Sequence, residues 1–283
     1  MKYAYYPGCS LKGTGKSYEQ SFLSLFEALG IELEEIPDWN CCGATTYMAI
    51  DEIAAISLSV RNLALVQNMR LSKVVAPCSA CYLNLIKARK ALLDGERREK
   101  LCEVIEKAGL EMDCSTPPEV FHPLQVLTEE YGIEKFKEKV VRPLTGLKVI
   151  TYYGCQIVRP YAGYDDPVYP VKMDLLFEAA GADVISDYPL KTRCCGGSIT
   201  GTIEEVGVRL NYLLIKEAKK RGADVMVTPC PLCHFNLEMY QGKMKEKFRM
   251  PIMYFTQLLG YAVGVKKEKL DFNRLLYQPK LEV

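Results

Sequence analysis

Ten of the twelve cysteines in this 283-residue chain fall into two copies of one arrangement: a lone cysteine, a Cys-Cys-Gly and a Pro-Cys-x-x-Cys. The first copy is Cys9, Cys41-Cys42-Gly43 and Pro77-Cys78-x-x-Cys81; the second is Cys155, Cys194-Cys195-Gly196 and Pro229-Cys230-x-x-Cys233. From lone cysteine to pair the intervals are 32 and 39 positions, and from pair to Cys-x-x-Cys 36 and 35. Thiolates in such numbers bind zinc, bind iron–sulfur clusters or exchange disulfides. Each set has enough ligands for a structural zinc, but a fifth cysteine and an adjacent pair suit one small tetrahedral ion poorly. A 4Fe-4S cubane is satisfied by four thiolates, so five point to a cluster that departs from the cubane. A redox dithiol at either Cys-x-x-Cys is the remaining reading, and it leaves three cysteines per set unexplained. Cys102 and Cys114 have no counterpart in the other half and read as buried or incidental thiols.

The elements that must position these thiols are duplicated too. Tyr5-Tyr6-Pro7-Gly8-Cys9 is echoed by Tyr152-Tyr153-Gly154-Cys155, and Leu25 to Gly30 by Leu176 to Gly181. Pro77 to Leu85 matches Pro229 to Leu237, and Gln125-Val126-Leu127 matches Gln257-Leu258-Leu259. Two homologous lobes follow, expected at residues 1–145 and 146–265, with a C-terminal tail over 266–283. Lys2 to Tyr6, Lys73 to Ala76, Lys148 to Tyr153 and Asp224 to Thr228 read as buried strands. Tyr18 to Leu29, Ile53 to Met69, Met173 to Ala180 and Ile203 to Lys220 carry helical spacing. Strand and helix in alternation imply an α/β fold, two Rossmann-like lobes with parallel sheets related by a pseudo-two-fold repeat. Cys9, Cys78, Cys155 and Cys230 then lie just past strand C-termini, where such sheets place their sites. Two such edges facing each other put both thiol sets beside one cleft.

Bulk properties narrow the function. With 36 basic and 35 acidic residues, the net charge of +1 gives no field for nucleic acid or an anionic membrane. The N-terminus shows no apolar signal core, so a cytoplasmic location with reduced thiols is the expectation. The apolar stretch from Ile252 to Val265 is too short and interrupted to span a bilayer. The chain has neither a ferredoxin-type Cys-x-x-Cys-x-x-Cys run nor a Gly-x-Gly-x-x-Gly fingerprint, so electrons must arrive from another subunit.

This constellation resembles the cysteine-rich, or CCG, domain family, and its tandem form is similar to the B subunit of the heterodisulfide reductase of methanogenic archaea. The likeness runs from Cys9 to about Val265. It implies that Cys9, Cys41, Cys42, Cys78 and Cys81 hold one non-cubane 4Fe-4S cluster, and Cys155, Cys194, Cys195, Cys230 and Cys233 a second. It also implies an enzyme, the catalytic component that reduces the mixed disulfide of coenzyme M and coenzyme B to two thiols. The expected mechanism sets the disulfide between the clusters, each capturing one sulfur and supplying one electron. Expected partners are a small ferredoxin-like subunit and, beyond it, a flavin-containing one, linked to hydrogenase or formate dehydrogenase. The alternatives are a CCG component of a glycolate or lactate oxidase, fumarate reductase or succinate dehydrogenase, and a zinc-stabilised module without chemistry of its own.

Lys12, Lys16, Arg159, Lys191 and Arg193 flank the cysteines and are the candidates for substrate anions. His234, next to Cys233 where the first lobe has Tyr82, is the candidate proton donor to a departing thiolate. His122 reads as structural. Ser10 to Ser17 matches a P-loop except at its first residue, but Cys9 belongs to the thiol set and no Asp-ended strand follows for magnesium. The tail from Lys266, with Leu270, Leu275 and Leu276 among charges, serves either as a docking segment or as a packed arm.

Overall fold

The apolar runs between Gly and Pro punctuation become the inner strands of two sheets. A computed structural model describes residues 1–44, 46–161 and 163–279. In the first lobe β1 (Lys2–Tyr5) and β3 (Lys73–Val75) lie between β2 (Glu32–Glu35) and β4 (Glu119–Phe121), in the order β2-β1-β3-β4. In the second, β5 (Lys148–Thr151) and β7 (Val225–Thr228) lie between β6 (Asp183–Val184) and β8 (Ile252–Tyr254), in the order β6-β5-β7-β8. Every pairing is parallel, with Tyr5 opposite Val75 and Thr151 opposite Val227. The α/β fold with two equivalent parallel-sheet lobes is therefore as expected. Chain order reverses between β1 and β3, and again between β5 and β7, which opens a crevice at the strand C-termini.

Helices cover the sheets. The first lobe has α1 (Gly8–Lys12), α2 (Lys16–Ala28), α3 (Glu52–Asn68), α4 (Ser79–Leu93) and α5 (Gly95–Lys107). It closes with α6 (Pro123–Gln125), which runs through a π-helical turn at Val126–Gly132 into α7 (Ile133–Lys137). The second lobe has α8 (Lys172–Ala179), α9 (Glu204–Lys220), α10 (Pro231–Met239) and α11 (Phe255–Ala262). Among the described residues no helix is long and apolar enough to cross a membrane.

The lobes share a core. One buried apolar cluster runs from Tyr3 through Phe22 and Phe26 to Phe255 and Leu258, while a second stays within the second lobe. The most extensive contact between lobes is α2 against α11, where the Ser21 and Thr256 hydroxyls lie 2.7 Å apart and the Tyr18 and Tyr254 rings stack at 4.4 Å; α7 against α8 and α1 against α10 add to it. Burial of continuous aromatic surface makes this an interior rather than a hinge.

The structure selects one role for the described part of the tail. Leu270 is buried, Gln257 Nε2 donates to its carbonyl at 2.8 Å, and the Leu276 amide donates to Glu238 at 2.8 Å. It is a packed arm. Cys102 and Cys114, expected as unpaired thiols, instead form a disulfide, with Cα atoms 6.4 Å apart. Packing of α5 against the following loop makes the pair, so no repeat pattern could have announced it.

Candidate functional site

Each lone cysteine follows a glycine at the end of an inner strand. Gly8 and Gly154 have φ of 64° and 70°, a region that disfavours residues with a Cβ. A Cβ there would meet Cys81 Sγ at 2.9 Å and Cys233 Sγ at 3.0 Å, so these glycines let the backbone approach the sulfurs of the Cys-x-x-Cys. The glycines of the two Cys-Cys-Gly motifs, at φ 78° and 83°, turn the chain so that the preceding cysteine points inward. Cys42 and Cys195 are buried while Cys41 and Cys194 stay exposed.

Both Cys-x-x-Cys motifs open a helix. Cys78 is the N-cap of α4 and Cys230 that of α10, which sets Cys81 and Cys233 one turn later. A helix N-terminus carries unpaired amides and partial positive charge, an environment that favours thiolates. Cys195 and Cys233 Sγ lie 3.4 Å apart. Close packing sets the thiols of each set against one another. Cys42 is pulled down by the Cys81 thiol, Cys194 by Cys155 and Cys230 by Cys233, and backbone amides assist each. Cys81 is pushed up by Cys42, Cys155 by Cys194, and Cys233 by Cys195 before Cys230.

Two residues of the repeat serve the thiols without being cysteine. Asn84 Nδ2 donates to the Cys42 carbonyl at 3.2 Å and faces its sulfur at 3.7 Å; Asn236 does the same to Cys195 at 3.4 and 3.8 Å. Amide donors around sulfur orient thiolate ligands and stabilise their charge. The signal was present, because an Asn stands three residues after each Cys-x-x-Cys.

A cleft of about 500 Å³ opens on the second set and extends to the neighbourhood of the first. All five cysteines of the second set line it, and the first set contributes its motif neighbours Gly43, Ala44 and Ala80. Met48, Leu83, Ile199 and Leu232 make much of the wall apolar, and Lys87 is the one charged lining residue among those described. Its Nζ lies 3.4 Å from Met48 Sδ.

The cations proposed from sequence stand elsewhere. Lys12 is paired with Glu19 at 2.7 Å and Glu35 at 2.9 Å. Lys191 is buried against Asp174, which the Thr151 hydroxyl also meets, so its charge is committed inside the lobe. Arg159 donates to the Thr192 carbonyl, and its charge helps hold Cys194 down. Lys16 and Arg193 are exposed. His234 lies behind the cleft wall, stacked 4.1 Å from Tyr254, and burial lowers it to about 4.

The donor chemistry fits a thiolate-bound iron–sulfur group: sulfurs grouped in fives, helix N-termini beneath two of each five, and amide donors beside the buried ones. Among the described residues no three or more His, Cys, Asp or Glu are disposed to hold a metal ion as they stand.

Comparison with known proteins follows this geometry. The CCG cysteine-rich domain matches twice, at residues 3–86 and 149–238. The 8-methylmenaquinol:fumarate reductase membrane anchor subunit of Wolinella succinogenes is 33% identical, over 96% of this chain and 95% of that one. The B subunit of the ferredoxin:CoB-CoM heterodisulfide reductase of Methanosarcina mazei is 29% identical, over 96% and 93%. A protein of Archaeoglobus profundus, described as like the B subunit of heterodisulfide reductase, is also 29% identical, over 95% and 93%. Among solved structures, a hypothetical protein from Helicobacter pylori shares the fold with a TM-score of 0.75 at 16% identity; the match covers 98% of this chain and 52% of that one.

Proposed function

Since the chain belongs to the cysteine-rich (CCG) domain family, we propose that it is the cluster-bearing catalytic component of a multi-subunit reductase. In this reading residues 1–145 and 146–265 each form one lobe with one non-cubane 4Fe-4S cluster. Cys9, Cys41, Cys42, Cys78 and Cys81 hold the first; Cys155, Cys194, Cys195, Cys230 and Cys233 hold the second. The observation that carries the proposal is that the cleft lined by the second thiol set reaches the motif neighbours of the first, Gly43, Ala44 and Ala80. When bound, the clusters supply electrons one at a time, and two centres match the two electrons that a disulfide takes up. A mixed disulfide such as that of coenzyme M and coenzyme B would accept two electrons and two protons and leave as two thiols. The apolar wall excludes water from the S–S bond, and Lys87 offers one cation to an acidic headgroup. Electrons come from partner subunits of ferredoxin and flavin type, because the chain has no motif of its own for either.

The second reading is a component of a quinol-linked fumarate reductase. The 33% identity to the Wolinella succinogenes protein favours it, as does a cleft with one cation, which suits an apolar quinol better than a polyanion.

Iron, sulfide and zinc per chain on anaerobically purified protein test both readings, followed by paramagnetic resonance on adding the mixed disulfide or a menaquinol. About eight irons and eight sulfides with a disulfide-dependent signal carry the first reading. The same metal content with a response to the quinol alone moves the assignment to the second. Zinc without sulfide sinks both.

A further inference from the structure

The two Pro-Cys-x-x-Cys loops belong to different lobes, yet the carbonyls preceding their first cysteines converge on the same two side chains. The Tyr18 hydroxyl, fully buried, lies 3.2 Å from the Pro77 carbonyl and 3.1 Å from the Pro229 carbonyl. A phenol has one proton, so the two carbonyls share it. His122, also fully buried, accepts from the Leu124 amide at Nδ1, which leaves the proton on Nε2. That Nε2–H meets the Pro77 carbonyl at 2.9 Å, and the Pro229 carbonyl also faces the ring. Rings pack around both: Tyr18 stacks on Tyr254 at 4.4 Å and meets Phe255 edge-on at 6.1 Å, and His122 meets Tyr82 edge-on at 5.7 Å. Water cannot replace these donors there, and an unpaired buried carbonyl is costly.

We propose that Tyr18 is a positioning residue that, with His122, clamps the two Pro-Cys-x-x-Cys loops to each other. The separation of the two thiol sets is then a property of the lobe junction rather than of either lobe. Loosening the clamp frees both loops at once, although they lie 152 residues apart between Cys78 and Cys230. This goes beyond the reductase reading and does not require it, because the contacts are made by the chain alone.

The test is hydrogen exchange on the full-length chain as purified, comparing wild type with Tyr18→Phe, which keeps the ring and its stacking and removes the oxygen. Exchange in the peptides carrying residues 78–82 and 230–234 should rise together by about three- to tenfold, with the inner strands unchanged. Ser21→Ala removes the neighbouring Ser21–Thr256 hydroxyl contact between the lobes and serves as the control; it should leave both loops as they were. A response in one loop only, a response across the whole chain, or an equal response to Ser21→Ala would overturn the proposal. If Tyr18→Phe does not fold, His122→Gln decides by the same measurement: paired loosening carries the clamp and unpaired loosening overturns it.

Discussion

Three residues before each Cys-Cys-Gly the two lobes carry opposite charges, Asp38 in the first and Lys191 in the second. Asp38 pairs with Arg61 at the surface, whereas Lys191 pairs with Asp174 in the interior. A second exchange concerns the rings behind the thiols. The residue after the first Cys-x-x-Cys is Tyr82, edge-on to His122; after the second it is His234, stacked on Tyr254. Tyr and His have traded places at equivalent positions. The strand order, the glycines, the five cysteines and the asparagine are the same in both lobes. The repeated residues are those that touch sulfur or shape the backbone around it. The exchanged ones stand one layer back, where they adapt each lobe to what it faces.

Four measurements decide how far the two lobes are equivalent. The largest effect is expected from Cys42→Ala and Cys195→Ala, each removing about half of the chain's iron, so that equal losses mark equivalent centres and a total loss from either marks one shared centre. Next, Lys191→Met leaves Asp174 buried without its partner and should cost about 3–5 kcal/mol in urea unfolding. Arg61→Met, breaking the surface pair, should cost about 1 kcal/mol or less. Comparable costs would show that the two ion pairs are not different in kind.

Acid comes third. Burial lowers His122 to about 3 and His234 to about 4, so both are neutral in the fold and titrate normally when unfolded. Their contribution is fully present above about pH 6.5 and is lost as pH falls toward those values, by about 1.4 kcal/mol per unit for each histidine. Glu238, 3.7 Å from His234 and raised by burial to about 7, works in the opposite sense over this window and offsets part of the loss. Urea midpoints from pH 7 to 5 should still decline, and His122→Gln and His234→Gln should each flatten the slope. A slope that only one of them changes would make the exchanged rings unequal. The smallest effect is expected from Asn84→Leu and Asn236→Leu, about a tenfold faster loss of iron to a chelator, alike in both lobes.

Much of the fold was legible because its strongest signals are local. The inner strands β1, β3, β5 and β7 are short apolar runs between turn residues, and the helices α2, α3, α8 and α9 show a continuous apolar stripe. The outer strands lack such a signal. Glu-Leu-Glu-Glu of β2 has no apolar run, and β6 is two residues long, so only pairing to an inner strand defines them. At the site, chemistry was legible and surroundings were not. Lys12 and Lys191 are cations beside cysteines in sequence, but neighbouring carboxylates claim them in space. Lys87, six residues after Cys81, belongs to no motif, since its place in the cleft depends on where α4 ends up.

The cysteine inventory, the duplication and the alternation of strand and helix were readable without a structure, because all of them reside in residue type and spacing. Tertiary structure alone decided which thiols face the cleft, that Cys102 and Cys114 are bonded, and that Tyr18 reaches carbonyls in both lobes. The disulfide depends on how α5 meets the loop after it, and the cleft and the reach of Tyr18 depend on packing α2 against α11, a contact between segments more than 200 positions apart; no local pattern encodes the angle at which two buried faces meet.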